Sequence, residues 1–308
     1  AALEVGAVGS EATLDFCAAA ASDAWGDGSV TGLDRDYGIA GLNLAVDSPA
    51  VAALSTQVGT TVSGLNTSVT NLVGTNGLIS TAIRNTLVGG LVTGLQLGTF
   101  TGSVTITNLD LAGAVAPLLT TPISDDVVTI DPSTGTLDVD LAYLLGDGAG
   151  GVNDLDPNSE LVIDDTVVND LTLRAGTLLD GWRAAVVDAL RTEILDATLT
   201  VDLATRVRIL GGADLVTVDV DMITTIRQLT TGGSALTVNA LLVPGGSVTI
   251  LNGLLATLGV TVTGLISTLN GLSSAVLAAV TARVTTSLIT PLSTVGATLA
   301  SVTAPIVT

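Results

Sequence analysis

Between Asp47 and Asp110 the chain carries a single charge, Arg84, and over the first part of that interval its apolar residues advance in steps of three and four. Val51, Leu54, Val58, Val62, Leu65, Val69 and Leu72 fall in one stripe on one helix face, a period no strand can use. Ser48 and Pro49 open the segment. The hydroxyl accepts from amides left without partners in the first turn, and Pro suits the first helical position. The same stepping recurs at Leu251, Leu254, Leu258, Val262, Leu265, Leu269 and Leu272, which predicts a second long helix. The other side of both stripes is Thr, Ser, Gly and Asn. A solvated helix normally places Glu, Lys and Gln there, since these keep their rotamer freedom and pair at i,i+4. Hydroxyls avoid the desolvation cost of an ion. Both helices are therefore expected to be covered on two sides, one against a sheet and the other partly under a helix or a second copy; the alternative is a lysine-poor, Thr-rich compositional bias with a normally wet face.

Around these segments the pattern changes to period two. "ALEVGAV" and "YGIAGLNLAV" alternate within residues 1–47, and "GLISTAIRNTLVGGLV" predicts a shorter helix. In the middle, "FTGSVTITNL" predicts a strand, "DLAGAVAPLL" a short helix, and "VVTIDPSTGTLDVDLAYLL" a hairpin turned by Asp131, Pro132 and Gly135. "TLLDGWRAAVVDALRTEIL" is a conventional helix that buries Leu178, Leu179, Trp182, Val186, Leu190 and Ile194. "ATLTVDLATRVRIL", "DLVTVDVDMITTI" and "SALTVNALLV" alternate apolar residues with Thr, Asp and Arg, as an antiparallel sheet with one wet face requires. The fold class is α+β, with antiparallel Thr/Val-rich sheets packed with long uncharged amphipathic helices. A single domain is expected over 1–308, divided into strands (1–47), helices (48–98), a β-rich acidic middle (99–248) and helices (249–308).

Composition narrows the chemistry. The net charge is −20 and all nine basic residues are scattered Arg, so the clustered cations that a nucleic-acid backbone needs are missing. With no His and one Cys, the chain has no nucleophilic triad and no thiolate metal cluster. Cys17 in "LDFCAAAA" reads as a small buried hydrophobe. Residues 228–282 are uncharged but interrupted by Thr, Ser, Asn and Gly, without aromatic or basic flanks, which argues against a membrane span. The chain opens at Ala1 without Met, as expected for an exported product whose leader has been removed, extracellular or at the cell surface in contact with the envelope.

Paired carboxylates are the remaining acid–base candidates: Asp125 with Asp126, Asp138 with Asp140, and Asp164 with Asp165. Neighbours on a strand point to opposite faces, and alternate ones share a face with no sign of a pocket, so no enzyme is expected. No cofactor is expected beyond Ca²⁺, for which Asp147, Asp154, Asp156 and Glu160 supply oxygens around a Gly-rich turn, without the spacing of a helix-loop-helix site. Asn66 in "NTS" is a formal glycosylation acceptor inside the predicted helix.

The stretch "DLAGAVAPLLTTPISDDVVTIDPSTGTLDVDLAYLLG", with "LDPNSELVIDDTVVNDL", "LLDGWRAAVVDALRTEIL" and "IAGLNLAVDSPAVAAL", resembles the choice-of-anchor G family of actinobacterial exported proteins. The resemblance implies a surface protein and no catalytic residue. The expected function is a structural extracellular subunit, of a cell surface or a filament, that forms a homo-oligomer through low-charge faces. Leu3, Val5, Val8, Val51, Val58, Leu65, Leu258 and Leu265 are the candidate association residues. "AALEVGAVGSEATLDF" either pairs with a neighbour's sheet edge or is the chain's own edge strand. The alternative is a carrier of lipid or another apolar ligand between long helices and a curved sheet.

Overall fold

A computed structural model describes residues 2–25, 32–74, 76–89, 95–145, 151–154, 165–209, 212–231 and 237–244, with scattered helical positions between 267 and 282. In chain order they form β1 (Ala2–Val5), β2 (Val8–Leu14), α1 (Phe16–Trp25), β3 (Leu33–Ile39), β4 (Leu42–Asp47), α2 (Pro49–Thr70), α3 (Leu78–Gly89), β5 (Leu95–Leu97) and β6 (Thr101–Thr107). Next come α4 (Leu111–Thr120), β7 (Ile123–Ser124), β8 (Val128–Asp131), β9 (Thr136–Asp140), α5 (Leu141–Leu145) and α6 (Asp165–Asp196). The run ends with β10 (Thr198–Ile209), β11 (Asp214–Thr225), α7 (Ile226–Thr230) and β12 (Thr237–Leu242). The chain is an α+β protein, and its sheets are antiparallel. Two compact units appear among the described residues, one from 1–55 and 119–182, the other from 56–118 and 183–288. Their division falls inside α2, α4 and α6 and not where the composition changes.

The first unit is built on a sheet ordered β1-β4-β9-β8-β7. Its β8–β9 hairpin turns where Asp131, Pro132 and Gly135 predict. Asp131 Oδ1 accepts from the Ser133 amide at 2.8 Å and its hydroxyl at 2.6 Å, the side-chain turn that favours Asp here. Gly135 has φ +77°, and a Cβ at that position would lie 2.6 Å from the Ala52 Cβ. The same hairpin end holds the start of α2. The Ser48 amide donates to the Gly135 carbonyl at 2.8 Å, and the Ser55 hydroxyl donates to the Pro132 carbonyl at 2.9 Å. The Val51 amide reaches the Ser48 hydroxyl, the cap that the sequence anticipates.

The predicted stripe on α2 is buried from Val51 to Val69, and Leu72 beyond the helix is buried too. Its opposite side, expected under a second layer, is open instead: Ala52, Thr56, Gly59, Thr60, Ser63, Asn66, Thr67 and Thr70 are exposed. The hydroxyls have another way to satisfy their hydrogen bonds. Thr60, Thr61, Thr67, Ser68 and Thr70 each donate to the carbonyl four residues earlier, at 2.8–3.1 Å. Thr can do this because one of its helical rotamers brings the hydroxyl onto the preceding turn. The face therefore needs neither ions nor a covering partner.

The second unit is built on a sheet ordered β12-β11-β10, and the far side of β10 is shared by β5 and β6. Alternation separates its faces. Leu199, Val201, Leu203 and Val207 of β10 and Val216, Val218, Val220 and Met222 of β11 point into a core with Ile79 and Ile83 of α3. Thr200, Asp202, Arg206, Thr217, Asp219 and Asp221 occupy the other face. Between strand and helix, Thr225 and Gln228 form a reciprocal capping box that starts α7.

Two helices depart from expectation. α6 begins at Asp165, twelve residues before Thr177, where the helix was predicted to start. Its early turns hold β-branched Val167 and Val168, weak helix formers, but burial of Leu171 and Ala175 and the Arg174–Asp170 pair at 2.7 Å, one turn apart, favour the helix. α1 occupies a region expected to be strand and turn; Asp15 caps it by accepting from the Ala18 amide at 3.1 Å. The second predicted helix, with Leu258 and Leu265, lies outside the described residues, although Ser267, Gly271, Ser274, Ala275, Ala278, Thr281 and Ala282 are helical. No helix among the described residues is long and apolar enough to cross a membrane.

Candidate self-association surface

The N-terminal strands share one register. From Ala2 opposite Ala45 to Val5 opposite Leu42, and again from Val8 opposite Ile39 to Leu14 opposite Leu33, the pairing is continuous. The junction holds because the Gly6 amide donates to the Gly41 carbonyl at 2.7 Å and the Ala40 amide to the Ala7 carbonyl at 2.8 Å. Glycine is needed at this close approach, since a Cβ on Gly6 would sit 2.9 Å from the Gly41 nitrogen. Residues 2–14 thus make one long strand pair with residues 33–45. Its first part, β1, is the edge of the five-stranded sheet, and the remainder, β2 with β3, is a separate two-stranded ribbon.

That ribbon has little to bury itself against. Every residue of β1 and β2 is exposed, including Leu3, Val5, Val8 and Leu14. Val8 is 66% and Phe16 75% exposed. Among the described residues, five of the twelve large exposed hydrophobic side chains lie between Leu3 and Phe16, which concentrates apolar surface in a short segment. Isolated two-stranded ribbons are at best marginally stable in water. One point of the ribbon is braced: Asn153 accepts from the Ile39 amide at 2.7 Å and donates to the Ile39 carbonyl at 3.0 Å, imitating a neighbouring strand at that single residue. The outer edge of residues 2–14 has no strand partner among the described residues. It has neither Pro nor Lys to discourage pairing, and Glu4 and Glu11 are its only charges.

The other sequence candidates lie elsewhere. Val51, Val58 and Leu65, expected to take part in association, are buried in the chain's own interior, so this helix stripe is core. Leu258 and Leu265 are outside the described residues. So are Asp147, Asp156, Glu160 and the Asp154 side chain, the Ca²⁺ candidates. No group of three His, Cys, Asp or Glu among the described residues is placed to hold a metal ion. Cys17, expected inside, is exposed: α1 turns Ala18, Ala19 and Ser22 partly inward and leaves Cys17 on the outer side. The signal for α1 was present in the sequence as Asp15 followed by an Ala-rich run, a capping residue before the best helix former.

Of the predicted acidic pairs, Asp125 and Asp140 are engaged in structural hydrogen bonds, and Asp164 lies outside the described residues. Burial pushes the Asp125 carboxyl up, but hydrogen bonds from the Val128 and Val127 amides and the Arg174 guanidinium outweigh it and hold the group below the usual carboxylate value. Asp140 accepts from the Tyr143 amide at 3.0 Å, at the start of α5, while Asp138 lies exposed on β9 opposite Thr129. Asn66 is exposed on α2, with its carbonyl engaged by Thr70.

Neither the curated proteins nor the solved structures contain a match to this chain. A family model described as Domain of unknown function (DUF8394) matches residues 1–308, the whole chain, and the protein therefore belongs to that family.

Proposed function

We propose that the protein is a structural subunit that associates with copies of itself through the free edge of residues 2–14. The observation that carries this reading is the uninterrupted, exposed and largely apolar strand pair at the N-terminus. Main-chain bonds supply the affinity in such strand addition, and alternate side chains supply the specificity. A second copy fits better than an unrelated strand because the segment is self-complementary. In an antiparallel pairing about a two-fold axis at Val8, Glu4 faces Ala12 and Glu11 faces Val5, so no carboxylate meets another. At roughly 3.4 Å per residue the edge spans about 44 Å, ample for a stable contact. An extracellular or cell-surface setting belongs to the same proposal, supported by the acidic, lysine-free composition and the resemblance to exported surface proteins.

The test is a symmetric cross-link. With Cys17→Ser removing the native thiol, Val8→Cys is expected to give a disulfide-linked dimer under mild oxidation, because paired residues across such an axis have Cα atoms about 4.5–5.5 Å apart. Thr60→Cys, on the exposed side of α2, is expected to stay monomeric. A monomer by sedimentation at high concentration, with equal cross-linking of both variants, overturns the proposal.

A further inference from the structure

We infer a site for an organic carboxylate in a cleft of the second unit between α3 and the segment leading into β6. The cleft has a volume of about 460 Å³, and Arg84, Val88, Leu97, Phe100 and Arg208 are among its walls. The inference is independent of the proposed self-association. It begins with charge placement. In a chain of net charge −20, arginines are expected to sit beside carboxylates, as Arg174 does with Asp170 and Asp125, and Arg227 with Asp196. Around this cleft the balance is reversed. Arg206 pairs with Asp214 at 2.8 Å, Arg208 approaches the same carboxylate only at 3.7 Å, and Arg84 meets no carboxylate among the described residues. Three guanidinium groups are thus served by one acid.

The geometry explains what the surplus charge can do. Arg84 lies over the Phe100 ring, 5.3 Å from its centre, a cation–π contact that fixes the guanidinium without using its hydrogen bonds. Arg208 Nε is shut off from solvent and faces Asp214 Oδ1 at 3.7 Å, too far for a hydrogen bond, so the accessible part of this guanidinium is its outer end. Arg208 also lies close over the backbone. A Cβ on Gly98 would be 2.9 Å from its Nη2, and Gly98 is pinned there by its amide bond to the Arg206 carbonyl at 2.7 Å. Thr205 adds a hydroxyl bond to the Gly98 carbonyl at 3.2 Å. Two guanidinium groups above apolar walls of Phe100, Leu97 and Val88 match a carboxylate attached to a ring or short aliphatic body. Guanidinium forks bind planar oxyanions better than a point cation would.

The carboxylate could come from a free organic acid or from an acidic side chain of a second copy, and the experiment separates the two. Titrating the full chain with 3-phenylpropionate, followed by backbone amide NMR, is expected to shift the signals of residues 96–100 and 208, with 3-phenylpropionamide at least tenfold weaker. Arg84→Gln and Arg208→Gln are each expected to weaken the acid tenfold or more, while Arg208→Lys, which retains charge, loses less. Unchanged spectra outside the cleft show that the variants remain folded. If the acid also lowers the sedimenting mass of an associated wild type, a neighbour's carboxylate is the natural occupant. If the mass stays constant while the acid binds, a free acid is. Equal affinity for acid and amide, acid binding that both Gln variants retain, or no shift at residues 96–100 overturns the assignment.

Discussion

Asp202 on β10 stands directly opposite Asp221 on β11, both exposed on the wet face of the second unit's sheet. Their outer neighbours in register are Ser103 on β6 and Thr237 on β12, neither of which carries a compensating charge. Like charges facing across a sheet are unfavourable. Asp221→Asn is therefore expected to stabilise the protein by about 0.5 kcal/mol. Urea denaturation at low and high salt checks this, and the gain is expected to shrink as salt screens the pair. A loss of stability at low salt would show that the two carboxylates are held apart or bridged.

Gly135 serves the hairpin twice, through its positive φ and through the space it leaves for Ala52. Gly135→Ala is expected to cost about 2 kcal/mol or more, from the left-handed backbone and the overlap together. In an Ala52→Gly background the penalty is expected to fall toward the backbone part alone, which a double-mutant cycle in thermal or urea unfolding measures.

The Asp125 carboxyl gives the fold a defined acid response. Its folded value lies below the unfolded one, so its contribution to stability is complete above the ordinary carboxylate value near 3.9 and is lost as pH falls through the lowered folded value. Asp125→Asn keeps an acceptor for the Val127 and Val128 amides but gives up the charge that faces Arg174. The variant is expected to be less stable than wild type at pH 7, and the gap is expected to close as pH falls through the lowered value of the folded carboxyl. A gap that persists unchanged in acid would assign the loss to packing.

On α2, the exposed Thr67 hydroxyl bonds to its own helix at the Ser63 carbonyl, with no other partner among the described residues. Thr67→Ala is expected to raise stability by about 0.5 kcal/mol, because Ala is the better helix former and no partner outside the helix is lost. The buried Thr61 is the control: its replacement by Ala leaves a small void in place of a methyl and a hydroxyl, and is expected to give no gain. Urea midpoints of the two variants decide between this account and one in which the Thr face is covered.

The two helices show how far local pattern reaches. The stripe from Val51 to Leu72 could be read at once, because a three-four period has one geometric meaning and Ser48 with Pro49 marks its start. The first twelve residues of α6 could not. Their own preferences are weak, and they are helical because Leu171 and Ala175 are buried and Arg174 finds Asp170 and Asp125. Alternation likewise identified β10 and β11, but the opposition of Asp202 and Asp221 follows from strand order and register, which alternation leaves open.

The candidate surface divides in the same way. Sequence was enough to single out residues 1–16 as strand-forming with few charges, since period and composition are local properties. It could not distinguish Val8 from Val58: both are apolar and regularly spaced, yet Val8 is exposed on a two-stranded ribbon while Val58 is buried. Nor could it place Arg84 near Arg208, more than a hundred residues away, or leave both with a shared shortage of acids. By itself the sequence determined the α+β class, the helix and strand periods, the hairpin turn at Asp131–Gly135 and the absence of histidine chemistry. Tertiary structure decided which apolar residues stay outside and which charges meet, because burial and electrostatic pairing depend on distances between residues remote along the chain.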